Sequence, residues 1–413
     1  MKGFAPIRVQ HLAGVVNGFP FDSERFDTSG GYPLLRIRDV GANTTELRYV
    51  GDFVEAARVV PGDVVIGMDG DFKVGKWLGV EDALLNQRVA LLRTDDVTAR
   101  FLHYALPREL EAINAVTYAT TVKHLSASQI LHAMVPWPGP EIAAAVVSFL
   151  DCETAKIDAL IAKQHDLVTV LRDRRESAVM AAVTGEGSSA PKRDSGVRWI
   201  GGLPKHWQVG NIRRYAAMHS GHTPSRQVPQ YWEDCTVPWF TLADVWQLRD
   251  DTRTHLGETS EMISELGLRH SAAELLPAGT VALSRTASVG FSGIMPVPMA
   301  TSQDFWNWVC GPDLLPEFLL RVFRAMRREM RSLMAGSTHQ TIYKTDAASF
   351  VIPVPPLDEQ RTIVDRLEEE LRQMDRLVDR ATVLVQLLQE RRAALITAAV
   401  TGSLDVTTYG KGG

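Results

Sequence analysis

Met180-Ala-Ala-Val-Thr-Gly185 and Thr397-Ala-Ala-Val-Thr-Gly402 differ only at their first residue and lie 217 residues apart. A repeat at fixed separation constrains a fold more than any single motif, because both copies must adopt one local structure. The same separation places Arg174-Arg175 on Arg391-Arg392, Leu167-Val168 on Leu384-Val385 and Asp158 on Asp375. It also matches Leu160 with Leu377, Glu153 with Glu370, and Pro136/Pro138 with Pro353/Pro355. No gap interrupts this part of the match.

Each copy reads as one long helix. It begins after a proline cluster at Glu141 or Asp358, where an acidic side chain suits the helix N-terminus. It runs about 40 residues, roughly 60 Å, to a glycine that can cap it, Gly185 or Gly402. Leu371, Met374, Val378, Ala381, Val385, Leu388, Arg392 and Leu395 alternate spacings of three and four. Ile157, Ile161, Gln164, Val168, Leu171, Arg175 and Ala178 repeat that pattern in the first copy. So narrow a seam predicts helices that pair with each other, antiparallel, as a pseudo-two-fold coiled coil. A long helix lying on a large core is the plainer alternative. Arg175 and Arg392 occupy matched seam positions, where a charge costs stability but fixes register. They read as structural or partner-docking residues.

The repeat continues more faintly outside the helices. Pro33-Leu-Leu-Arg-Ile-Arg-Asp-Val40 resembles Pro238-Trp-Phe-Thr-Leu-Ala-Asp-Val245, and Val59–Val65 resembles Leu275–Val281. Gln87 answers Gln303, each before an apolar run. Short apolar strands broken by Pro and Gly turns make both segments α+β globules. The expected organisation is a globule over 1–137, a helix over 138–185 and a linker over 186–197. A second globule over 198–355, a helix over 356–403 and a tail over 404–413 follow. The linker Gly185-Glu-Gly-Ser-Ser-Ala-Pro-Lys-Arg-Asp-Ser-Gly196 is polar and rich in breakers.

Composition narrows the class. With 413 residues, 45% hydrophobic and 23% charged, the chain suits two or more folded domains. No apolar run approaches the roughly 20 residues of a membrane span, and no signal-peptide core follows Met1. Cys152, Cys235 and Cys310 lack metal-ligand spacing and suit a reducing cytoplasm. A net charge of -5 gives no overall basic footprint, although a local cleft can still be positive.

Several stretches resemble the specificity subunits of type I restriction–modification systems. Val351-Ile-Pro-Val-Pro-Pro-Leu-Asp-Glu-Gln-Arg361, with the heptad helix ending at Gly402, resembles that family's second conserved region. Ile157-Asp-Ala-Leu-Ile-Ala-Lys163 with Ala181-Ala-Val-Thr-Gly185 resembles the central one. Trp199-Ile-Gly-Gly-Leu-Pro-Lys-His-Trp207 resembles the entry to the second target-recognition domain, but the first half lacks a counterpart of Pro204-Lys-His-Trp207. The resemblance covers essentially the whole chain. It implies two target-recognition domains, each reading half of a split double-stranded DNA target, on a helical spacer. It also implies docking of two methyltransferase subunits and of restriction subunits. S-adenosylmethionine, ATP and Mg are then expected on those partners, with no cofactor or catalysis in this chain.

The residues themselves carry no adenine-methyltransferase motif, metal pair or nucleophile elbow. Gly70-Asp-Phe-Lys-Val-Gly-Lys-Trp77 approaches a phosphate-binding loop, but Trp77 stands where a Mg²⁺-binding hydroxyl belongs. The second half has Ser284-Arg-Thr-Ala-Ser-Val-Gly290 there, with Val289-Gly290 answering Val74-Gly75. Both stretches read as hairpins bearing cations, Lys73 and Lys76 in one and Arg285 in the other. Such hairpins suit DNA phosphates or guanine edges, and equally an ordinary solvated surface. Ser220-Gly-His-Thr-Pro-Ser-Arg226, matching Asn17-Gly-Phe-Pro20, adds Arg226. Thr120–His124 and Ser337–Lys344 precede the long helices and add Lys123, His339, Gln340 and Lys344 as DNA-binding candidates. Arg321, Arg324, Arg327, Arg328 and Arg331 form a basic stripe at helical spacing, either a solvated face or a phosphate contact.

Overall fold

The computed structural model describes residues 3–116, 123–332 and 341–406. In the first half, strands β1 (Gly14–Asn17), β2 (Val64–Gly67), β3 (Val74–Lys76) and β4 (Val89–Arg93) precede helices α1 (Asp96–Val116) and α2 (Pro140–Thr184). In the second half, β5 (Ala216–Ser220), β6 (Val281–Ser284), β7 (Ser292–Ile294) and β8 (Phe305–Cys310) precede α3 (Pro316–Ala325), α4 (Arg327–Ser332) and α5 (Leu357–Val400). The first four strands form a sheet in the order β1-β4-β2-β3, and the second four form β5-β8-β6-β7. The two orders are the same, element for element.

A parallel strand pair accompanies each sheet: Leu34 opposite Leu84 in one, Trp239 opposite Ala300 in the other. In both, a buried aspartate closes the next turn: Asp39 accepts from Arg36 N, and Asp244 from Thr241 N, each at 3.0 Å. Gly62 and Gly279 occupy matched tight turns with φ of 96° and 86°. The structural correspondence is therefore Val64 with Val281, one residue away from the Val65–Val281 match suggested by the sequences.

The long helices have 45 and 44 residues, about 65 Å each. They do not separate from the globules. The chain forms two compact units: Met1–Gln164 with Val383–Gly413, and His165–Thr382. Each takes half of α2 and half of α5, running in opposite directions. In the first unit, Phe101, Leu102 and Leu106 of α1 share a core with Val146 and Leu150 of α2 and Val400 of α5. In the second, Phe318, Val322 and Phe323 of α3 pack with Val183 of α2 and Leu367 of α5. Ile157, Leu171, Met374, Val385 and Leu388 are buried along the seam, while Ile161, Val168 and Val378 are half-buried.

The breaker-rich 186–197 stretch is not a free linker. Lys192–Asp194 pairs with Gly202–Pro204, so it belongs to the second unit's fold. The missing Pro-x-x-Trp counterpart is also accounted for. Gly185, in a left-handed C-cap, lies against Pro204 and Trp207; Gly402, in the same conformation, lies against the ring of Phe4.

Candidate nucleic-acid interface

The near-phosphate loop is a hairpin turn. Gly67 N donates to Lys73 O at 2.8 Å, closing a tip in which Phe72 is buried with φ of 52°. Residues 74–76 return as strand β3, so no helix N-terminus faces a phosphate position. Trp77 is buried and its indole N–H donates to Glu81 O.

In the second unit Ser284 N donates to Phe291 O, also at 2.8 Å. Strand β7 therefore matches Ser292-Gly293 with Val74-Gly75, and the proposed match with Val289-Gly290 is three residues off. The second tip is one residue longer, which an ungapped sequence comparison cannot locate. Arg285 N donates to Asp304 O as Met68 N donates to Arg88 O. Its structural counterpart is thus Met68, not a lysine.

The candidates divide by surroundings. Lys73 is exposed on the first tip. Lys76 turns inward, its Nζ 3.6 Å from Asp151 of α2 and 5.7 Å from the Tyr104 ring centre. Lys123 accepts the Gly70 N–H through its carbonyl and donates Nζ to Asn114 O, so its segment lies along the tip. In the second unit Arg285 lies 4.2 Å over Trp306 and donates Nε to Gln303 O. Burial pulls its pKa below the usual guanidinium value. Thr223 donates to the Gln303 side chain, so Gln303 joins the Ser220–Arg226 loop to the tip. Arg226 lies 4.0 Å over Trp232 and pairs with Glu261 at 2.6 Å. Lys344 is exposed at the start of a short helix. His339 and Gln340 lie outside the described residues.

Most of the arginine stripe is not a surface. α3 ends at Ala325, and the side chains of Arg321 and Arg324 are only 3% and 4% exposed. Arg324 donates to the carbonyls of Asp251 and Arg253, while Arg327 grips the Asp251 carboxylate with two 2.7 Å bonds. Burial lowers the Arg324 pKa to about 9, against the opposing pull of Asp251. Arg328 and Arg331 are the exposed members.

The seam arginines are paired. Arg175 bonds Asp375 within the second unit, and Arg392 bonds Asp158 at 2.9 Å within the first. These are one ion pair written twice. A second repeated contact joins each globule's helix to a long helix. Tyr104 donates to Asp151, and at the matched positions Arg321 donates to Glu368. Arg100 also bonds Asp151. Burial opposes the Asp151 charge, but Arg100, Tyr104 and Lys76 outweigh it and lower its pKa.

The long helices also expose matched apolar positions: Leu160 with Leu377, Leu167 with Leu384, and Val170 with Leu387. Leu160, Leu384 and Leu387 belong to the first unit; Leu167, Val170 and Leu377 belong to the second. Among the described residues no cluster of His, Cys, Asp and Glu is arranged to hold a metal.

Residues 204–376 match the family described as the type I restriction modification DNA specificity domain. The chain is 38% identical over 182 residues to the type I restriction enzyme EcoBI specificity subunit of Escherichia coli, covering 43% of this chain and 38% of that protein. It is 21% identical over 404 residues to the putative MjaX specificity subunit of Methanocaldococcus jannaschii, covering 92% and 88% respectively. Among solved structures, a chain from work on complex assembly and conformational transition of the type I R-M system shares the fold with a TM-score of 0.68. The identity is 17%, over 97% of this chain and 98% of that one. The HsdS subunit from Thermoanaerobacter tengcongensis gives 0.53 at 15% identity, over 97% of each chain. The match to the EcoBI subunit spans about two fifths of that relative's length. The likenesses to specificity subunits accompany the duplicated α+β architecture, and the solved structures share that fold. The chain is similar to type I restriction–modification specificity subunits, and its residues 204–376 match their DNA specificity domain.

Proposed function

We propose that this chain reads a split sequence in double-stranded DNA, one half through each globule, and docks modification and restriction subunits. The supporting observation is the pair of hairpins. The frame, strand order and closing hydrogen bond are repeated, while tip length and the placement of cations differ. A repeated frame with unlike tips suits two different half-sites. Lys73 on one tip and Arg285 on the other are placed to meet phosphates or base edges.

The matched apolar positions on the long helices support docking of two copies of one partner, here the methyltransferase subunit. In this reading S-adenosylmethionine, ATP and Mg belong to the partners, which perform methylation and cleavage in the cytoplasm. This chain supplies the address. No helix among the described residues is long and apolar enough to cross a membrane.

The experiment is modification-sensitive sequencing of DNA from cells making this chain with its methyltransferase partner. A split, adenine-methylated motif that disappears when this chain is deleted is the expected result. A soluble complex with an active partner and no such motif would refute the reading.

A further inference from the structure

We propose that Asp251 positions the tip of the second recognition hairpin by tying it to the long helix α2. This rests on the reading that the hairpin faces DNA.

Strand β7 is tied down differently from its counterpart β3. In the first unit Lys76 of β3 reaches Asp151 of α2 directly. The matched residue of β7 is Ile294, which offers no charge. The second unit instead has a longer connection, Trp246–Ala278 against Gly41–Pro61, and this connection brings Asp251 beneath the hairpin. Leu256 N donates to Ile294 O at 2.8 Å and Ile294 N to Thr254 O at 2.9 Å, so the connection lies along β7.

Asp251 has φ of 58°, in the left-handed region that few side-chain-bearing residues other than Asn and Asp adopt. It is held there by arginines from three helices. Arg175 of α2 and Arg324 of α3 each donate to its carbonyl at 2.7 Å. Arg327 of α4 takes its carboxylate with both terminal nitrogens. The same Arg327 donates Nε to Gly290 O at 3.3 Å and lies 4.7 Å over the Phe291 ring. Gly290 has φ of 87°, and a Cβ there would come within 2.8 Å of the Arg327 side chain. Gly290 and Phe291 close the tip that begins with Arg285. A continuous path therefore runs from tip to Arg327, Asp251, Arg175 and the seam partner Asp375. Asp251 reaches the tip through Arg327.

The test uses the full chain with two variants, Asp251→Asn and Arg327→Lys. The first removes the charge that Arg327 grips; the second keeps a charge but cannot fork onto a carboxylate. Amide hydrogen exchange across 285–291 should quicken by roughly tenfold in both, with the first tip, 68–73, unchanged. Selection from randomised duplex DNA should return a split motif for the parent chain. Each variant should lose base preference in one half while keeping the other. Unchanged exchange at 285–291 in either folded variant overturns the proposal, as does an intact second half-motif. A parent chain that selects no split motif overturns the DNA reading, and the exchange result still decides whether Asp251 holds the tip.

Discussion

His103 and Leu320 occupy one place in the two copies, and the difference has a measurable consequence. His103 is mostly enclosed, and its Nδ1 has no hydrogen-bond partner among the described residues. Burial, with the nearby charges of Lys76 and Arg392, lowers its pKa from 6.5 to about 4. As pH falls, the unfolded chain takes up a proton before the folded one does. The stability contribution is therefore complete above pH 6.5 and is lost toward pH 4, by up to about 3 kcal/mol. His103→Leu, the residue the second copy already uses, should flatten this loss. Denaturant unfolding at pH 7 and 4.5 measures it, and equal losses in parent and variant would dismiss the idea. Little of this was legible at the residue scale. Arginine spacing on a helix is the same whether the helix faces water or a buried aspartate. Asp251 itself, in the longer of the two connections, belongs to no motif. Arg175 and Arg392 were singled out by their matched seam positions, but nothing in that pattern linked them to Asp375 and Asp158, the partners the structure gives them.

The elements were more transparent. Both long helices were readable from heptad spacing, capping glycines and flanking prolines, because these signals are local and were given twice. The sheets were readable only in part. Short strands carry little periodicity, and the one-residue difference between tips moved the apparent match onto a chance Val-Gly. The two lysines of the first hairpin now have separable roles. Lys73→Ala should weaken DNA binding and lower the salt slope by about one. Lys76→Ala removes a partner of Asp151 and should destabilise the first unit by roughly 1 kcal/mol, leaving the salt slope intact. Binding titrations over a salt series, with a melting curve for each variant, distinguish the two. Identical salt slopes for Lys73→Ala and the parent would remove Lys73 from the interface.

For the molecule as a whole, duplication predicts stoichiometry. The three matched apolar residues exposed in each unit should hold one partner copy, and a charge placed among them should weaken that contact because burying it is costly. Val170→Glu or Leu387→Glu alone should leave a complex with one methyltransferase subunit, and both together should leave none. Native mass spectrometry counts the copies, and two retained by the double variant would exclude these patches. The hairpin tips carry a further implication for how such chains diversify. Each tip is closed by the same backbone hydrogen bond, Gly67 to Lys73 or Ser284 to Phe291, to which the second tip adds Gly290 N to Ser284 O, and an extra residue between those points leaves the strands paired as before. Insertions and deletions at the tips are thus shielded from the register that sustains the sheet. Heritable changes in loop length can accumulate there with little penalty to folding, so a lineage can acquire a new target while inheriting its scaffold unchanged.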